Sequence, residues 1–393
     1  MDGRTRDYLK GRFGDHYRRA ELSPPPAANE REWGYITWNT ETTTMVRHHS
    51  YLDLAGGGDL EGFLAGERPR HVYFSAGRYD DPGASSMGQK GWRGSDLVFD
   101  LDADHLPGVD PDETSYGEML EACKGALLRL LDILETDFGF EDLEVVFSGG
   151  RGYHVHVRRD GVLELDRTAR REIVEYVLGE GIEFEDVVST RAVGGSAGRS
   201  SPAQKRSLPD GGWAGRARGR LDAFVEELLS MEEADALDRL RQFDGIGEGK
   251  AKAALNAARN NRKELSGGNV DVHPAMFSVA RLLFEEVLET QRAPIDEPVT
   301  TDINRLIRLP GSLHGGTGLK VQRIDRGDVA SFDPLSDPVP ETFVGNEITV
   351  FVPEPTTVEL RGERFRLPQG VSSVQEYVGV FAMARAHARK AGA

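Results

Sequence analysis

Asp100 and Asp102 stand two apart at the end of an apolar run, Leu97-Val98-Phe99-Asp100-Leu101-Asp102. The run is rich in strand formers, and on a strand residues two apart project from one face. Two unpaired carboxylates placed that way repel each other and resist burial. A divalent cation cancels that cost, and two cations about 4 Å apart can clamp a phosphoryl transfer. The same doublet also reads as two solvated acids at a strand end, in a chain rich in acids.

A second group lies some way downstream. Glu144-Val145-Val146-Phe147 reads as a strand that enters Ser148-Gly149-Gly150-Arg151-Gly152, and Tyr153-His154-Val155-His156-Val157 alternates like a returning strand. Glycines allow the positive φ and close backbone approach of a turn that cradles phosphate. Arg151 offers a planar fork for phosphate oxygens, and His154 and His156 share one strand face. Alone, such a turn is as well explained by an ordinary hairpin with an exposed arginine. Paired with the earlier carboxylates, it points to nucleotide chemistry.

The third group is Thr300-Thr301-Asp302-Ile303-Asn304-Arg305-Leu306-Ile307-Arg308-Leu309-Pro310-Gly311-Ser312-Leu313-His314. Thr300 or Thr301 can cap a short helix with Asp302 in its first turn, and Leu309-Pro310-Gly311 would end it. Asp296 lies upstream in Pro294-Ile295-Asp296-Glu297-Pro298, held extended by its flanking prolines.

Together these strings resemble the three motifs of the archaeo-eukaryotic primases, and are most like the small, catalytic subunit of archaeal DNA primases. The resemblance extends through Arg31-Glu32-Trp33-Gly34 and Gly91-Trp92-Arg93-Gly94-Ser95-Asp96 and covers nearly the whole chain. It implies an α+β fold, a mixed-sheet catalytic core with an inserted helical subdomain. It also implies that Asp100 and Asp102 bind metal and that Asp296 is the third catalytic carboxylate, with Asp302 the competing choice. Ser148, Arg151, Gly152, His154, Arg308, Ser312 and His314 fall on the nucleotide pocket. The implied reaction is template-directed, two-metal nucleotidyl transfer with Mg²⁺ or Mn²⁺, making short RNA primers for DNA replication, with DNA primers and primer extension left open. The alternative is a primase-like polymerase of DNA repair or end joining. Implied partners are a large, iron–sulfur-bearing subunit, single-stranded DNA template, and NTPs or dNTPs. Relatives commonly carry a zinc knob after the aspartate strand. Here the single cysteine, Cys123, lies in an amphipathic helical pattern with His105 distant from it, so no structural zinc is expected. A two-metal nuclease would leave the arginines and histidines unexplained, and a nucleotide-binding module would leave the carboxylates unexplained.

These residues must be positioned by elements the pattern partly reveals. Residues 7–20 read as a basic-aromatic helix, 119–136 and 168–179 as amphipathic helices, and 374–390 as a terminal helix. Strand-like runs return near 318–324 and 347–366. The pattern divides into a core over 1–218, a helical insert over 219–291 and a second core part over 292–393. Arg191, Arg199, Lys205, Arg206, Arg216, Arg218 and Arg220 form a basic island that reads either as a flexible nucleic-acid contact or as a solvated loop. Phe243-Asp244-Gly245-Ile246-Gly247-Glu248-Gly249-Lys250 resembles a helix-hairpin-helix turn, or a plain connector.

Charge sets the surroundings. Lys and Arg total 48 against 65 Asp and Glu, a net charge of −17. Such acidity opposes phosphate binding in dilute solution. In molar salt, where the Debye length is about 3 Å, that repulsion is screened, which suggests a halophilic archaeal cytoplasm. One cysteine argues against a disulfide scaffold. No run reaches membrane-spanning length, so a cytoplasmic protein without membrane partners is expected.

Overall fold

The computed structural model describes residues 1–38, 45–51, 60–193 and 203–392. It divides into two compact units. One comprises Met1–Leu128, Glu141–Val174 and Pro294–Ala393, the other Arg129–Phe140 and Glu175–Ala293. The helical unit therefore extends beyond residues 219–291, taking in the segments before them.

The first unit is built on two four-stranded sheets. The strands of these two sheets are β1 (Trp33–Ile36), β2 (Met45–His49), β3 (His71–Ser75), β4 (Leu97–Asp102), β5 (Leu143–Phe147), β6 (Gly152–Val157), β7 (Leu306–Arg308) and β8 (Gln322–Ile324). One sheet has the order β7-β3-β1-β2 and the other β8-β5-β6-β4. The α+β class holds. In place of a mixed sheet, every strand pairing among the described residues in these sheets is antiparallel. The glycine turn between β5 and β6 shows why: a tight turn returns the chain beside itself, whereas a parallel partner requires a long crossover.

The aspartate strand is amphipathic by alternation at its end. Phe99 and Leu101 are fully buried while Asp100 and Asp102 are only partly covered. Helix Tyr116–Thr136 brings buried Cys123 within 3.6 Å of the Leu101 carbonyl. Cys123 is thus a packing residue of that helix.

Beneath the start of β4 lies a buried ion pair. Arg31 donates two bonds to Asp96, both 2.9 Å, and neither side chain is exposed. Arg31 also donates to the carbonyls of Ser75 and Ala76, and Arg158 donates to Asp96 at 2.8 Å. Arg170 closes the cluster on the carbonyls of Ser95 and Asp96. With its donors and acceptors matched, this pair avoids the desolvation penalty of an isolated buried charge. It ties the entry of β1 to the entry of β4.

The third motif departs from its sequence reading. The short helix spans Glu297–Thr301, with Asp296 as its N-cap and Asp302 as its C-cap, and Leu306–Arg308 is strand β7 rather than helix. Pro298 is preorganised for a first helical turn, and β7 pairs with β3 through Leu306–Ser75, Ile307–Phe74 and Arg308–Tyr73. The C-terminal segment also differs: strand Gly370–Gln375 precedes helix Glu376–Ala384, and Arg389–Lys390 returns as a strand beside Glu347–Val352.

The second unit holds helices Gly212–Ser230, Glu233–Arg241, Glu248–Asn260 and Pro274–Gln291 around buried Leu221, Phe224, Leu255, Leu283 and Phe284. Much of the basic island is helical and already neutralised. Arg216 binds Asp132 and Asp137, Arg218 binds Asp210, Arg220 binds Glu286, Arg206 binds Asp271, and Lys205 lies 3.5 Å from Glu264. Arg199 and the side chain of Arg191 lie outside the described residues. Residues 243–247 form the turn between two helices, with Gly245 at φ +72°.

Candidate active site

Strand register brings the first two motifs face to face. β4 and β6 pair so that Asp100 lies opposite His154 and Asp102 opposite Gly152. His154 Nε2 is 3.4 Å from Asp100 Oδ1. The Asp296 amide donates to the Asp100 carbonyl at 2.9 Å, which lays the start of the short helix against the aspartate strand.

The carboxyls feel one another. Burial, then the charge of Asp102, raises Asp100 to about 6, and burial, then Asp100, raises Asp296. Among the described residues no three acidic, imidazole or thiol side chains converge as a closed ligand set, so the carboxylates are grouped by electrostatics rather than packed around a point. Their hard oxygen donors nevertheless suit Mg²⁺ or Mn²⁺. Raised carboxyl pKa values in a cleft mark candidate functional sites on physical grounds.

The glycine turn is shaped by close approach. At Gly149, φ is +73° and an added Cβ would stand 2.7 Å from the Cβ of His314. At Gly152, such a Cβ would meet the Leu101 carbonyl oxygen at 1.8 Å. Ser148 is buried, and its hydroxyl accepts from the amides of Gly150 and Gly152 at 3.3 and 3.2 Å. The serine thus folds the turn. Arg151 projects outward and pairs with Asp104 at 2.5 Å, 4.0 Å from Asp102.

The third motif supplies the opposite wall. Ser312 is buried and donates its hydroxyl to the Leu309 carbonyl at 2.6 Å, fixing the turn after β7. His314 packs edge-on to His71 with ring centres 4.9 Å apart, and its Nδ1 contacts the Thr317 hydroxyl at 3.2 Å. Burial, then Arg308, holds the His314 imidazole well below its ordinary pKa. His154 is likewise depressed, to about 3, by burial and then Arg308. Both imidazoles are neutral at physiological pH.

A cavity of about 380 Å³ opens between these walls, lined by Asp100, His154, Arg308, Arg305, Arg47 and Tyr73 among others. Arg308 lies over the Tyr73 ring at 5.8 Å, and its buried Nε has no hydrogen-bond partner. Arg305 has no anionic partner among the described residues. The cavity therefore sets Arg305 and Arg308, neither in an ion pair among the described residues, beside Asp100 and Asp302, while Arg47 is held by Glu32 at 2.8 Å. Ser148, Ser312 and His314 shape its surroundings without lining it, and Arg151 stands at the outer turn. Asp302 does line it, as a C-cap that accepts from the Asn304 amide at 3.0 Å and lies 3.8 Å from Arg167. Arg305 stands within the third motif, where its charge was legible. Arg47 and Tyr73 carry no local signal and reach the cavity only through strand pairing.

Comparison with known proteins agrees with this arrangement. A family model described as DNA primase small subunit matches residues 99–324, from the aspartate strand through the third motif. The chain is 81% identical to DNA primase small subunit PriS of Natronomonas pharaonis, with 100% of each chain covered. It is 63% identical to DNA primase small subunit PriS of Haloarcula marismortui, with 99% of each covered, and 40% identical to that of Methanothrix thermoacetophila, again with 99% of each covered. The high-identity relatives include those of halophilic archaea, in keeping with the acidic composition. The family match over residues 99–324 and the identity along the whole chain place this chain in the DNA primase small subunit family.

Proposed function

We propose that this chain is the catalytic subunit of a DNA primase and extends a nucleic-acid strand by nucleotidyl transfer in the cavity beside Asp100. The observation that carries the site assignment is Asp100, raised by burial and by neighbouring Asp102, lining one cavity with Arg305 and Arg308. Anions bridged to cations through a triphosphate and metal would satisfy both walls.

Asp100, Asp102 and Asp296 would hold Mg²⁺ or Mn²⁺. When bound, such cations favour deprotonation of an attacking 3′-hydroxyl and stabilise charge on departing pyrophosphate. Arg308, backed by Tyr73, and Arg305 orient the triphosphate by charge-assisted bonds. Neutral His154 sits against Asp100 and keeps it oriented without adding a competing cation. His314 packs against the glycines of the turn, and Arg151 would have to leave Asp104 to meet the nucleotide. Ser148 and Gly152 preserve the glycine turn through hydrogen bonds and close packing, and Ser312 fixes the turn after β7. No Ser-His-Asp relay is needed for this chemistry.

A single-stranded template and a large subunit complete the proposed enzyme. No helix among the described residues is long and apolar enough to cross a membrane, and replication of cytoplasmic DNA is the fitting setting. The test is template-dependent synthesis at high KCl with labelled NTPs or dNTPs, with and without the large subunit. Incorporation lost on Asp100→Asn supports the assignment, while a variant that extends normally overturns it.

A further inference from the structure

A second and larger cleft, about 530 Å³, lies in the first unit among residues that the proposed reaction does not use. Its floor is the hairpin behind the third motif. The Gly311 amide donates to Val321, the Val321 amide donates to Ser312, and Leu313 bridges to Lys320. Lys320 and His16 both line the cleft, and Lys320 is near enough to His16 to lower the imidazole's pKa. Arg19, exposed after the first helix, stands at its rim.

Lys320 has no hydrogen-bond or ion-pair partner for its ammonium among the described residues. Its nearest acidic influences are Glu341 and Asp337, and burial outweighs both in lowering its pKa. Arg19 is equally without an acidic partner among the described residues. In a chain whose arginines are so often neutralised by nearby carboxylates, two unpaired cations at one cleft constitute an unmet demand for an anion. Pro310, Val321 and Pro340 are buried and give it apolar walls. Glu21 and Glu341 remain exposed at the mouth, where solvent and salt weaken their opposition.

We propose that this cleft is a second anion site that takes a phosphate-bearing small molecule between Lys320 and Arg19, beside the hairpin carrying His314. Its volume admits a nucleotide, and pyrophosphate presents the same phosphate chemistry without a base. This site is independent of the nucleotide site assigned above. An occupant would bridge the end of the first helix and the third-motif hairpin, two segments distant in sequence.

Equilibrium dialysis of the full chain against labelled ATP, and separately against labelled pyrophosphate, tests the proposal across a range of KCl. The expected result is two bound anions per chain, falling to one in Lys320→Met, with at least tenfold weaker second-site binding in Arg19→Met. Arg308→Met should remove the other site and leave this one. Binding of ATP alone would assign a nucleotide site with base contacts, and equal binding of pyrophosphate would assign a phosphate site. Both support the anion cleft. A single site in the unmodified chain that is lost in Arg308→Met and kept in Lys320→Met, or two undiminished sites in both Lys320→Met and Arg19→Met, would overturn it. Arg19→Met changes an exposed side chain, so its result does not depend on whether the Lys320 variant folds.

Discussion

Asp100 is held where ionisation is unfavourable and also where ionisation is useful. Burial and Asp102 raise its pKa from 3.8 to about 6. A carboxyl raised in the folded state contributes stability that is complete below its unfolded value and is lost as pH rises through its folded value. Asp100→Asn should therefore stabilise the metal-free protein at pH 8 by about 1–3 kcal/mol, with the advantage shrinking as pH falls toward 4. Thermal melts with chelator in molar KCl check this, and a pH-independent difference would contradict it. Synthesis should nevertheless vanish. The two candidate third carboxylates also separate at this scale. Asp296 donates its amide to the Asp100 carbonyl and shares its electrostatics, whereas Asp302 faces the arginine side of the cavity. Asp296→Asn should remove nearly all single-turnover extension. Asp302→Asn should preserve the chemical step and alter nucleotide KM, because it removes an anion beside Arg305. An inactive Asp302 variant beside an active Asp296 variant would reverse the assignment.

At the scale of elements, register does the positioning. β4 and β6 can pair so closely at Gly152 because no side chain intervenes between it and the Leu101 carbonyl. Gly152→Ala should cost about 1–3 kcal/mol or more from overpacking, and extension should fall with it; near-normal stability by denaturant unfolding would show that the strands part easily. The aspartate strand and glycine hairpin were legible because apolar residues, glycines and alternation all lie within the segments themselves. The third motif was less so. Thr300, Thr301 and Asp302 carry helix-start signals, yet Leu306–Arg308 becomes a strand through its partner β3, which local sequence cannot reveal. Likewise, Ser148 and Ser312 join the nucleotide pocket through the resemblance alone, and the turn hydrogen bonds of their hydroxyls could not be read locally. Arg31 and Asp96 could be noticed only as parts of a resemblance; burial shows them to be a strut. Arg31→Met should remove the two-bond partner of Asp96, leaving it to Arg158 and Arg78, and destabilise the fold by about 1–3 kcal/mol, measured by denaturant unfolding in molar KCl.

For the whole molecule, a net charge of −17 makes solution conditions part of the structure. Its acidic surface repels itself in dilute buffer and is screened in concentrated salt. The melting temperature should rise between about 0.1 M and about 2 M KCl, and equal values would remove electrostatics as the reason for the composition. The Arg31–Asp96 pair, wholly buried, should respond little to the same change. The division of the chain has a different consequence. The unit bearing the carboxylates is assembled from residues 1–128, 141–174 and 294–393, while most of the helical unit is encoded between the latter two. On a ribosome, Asp100 and Asp102 are made long before Asp296 and Arg308. At about 5–20 residues per second, they wait roughly 10–40 s for Asp296, the proposed third carboxylate. The nascent chain thus carries an unfinished cleft through much of its synthesis, and the cavity is complete only once translation delivers Leu306–Arg308 to pair with His71–Ser75.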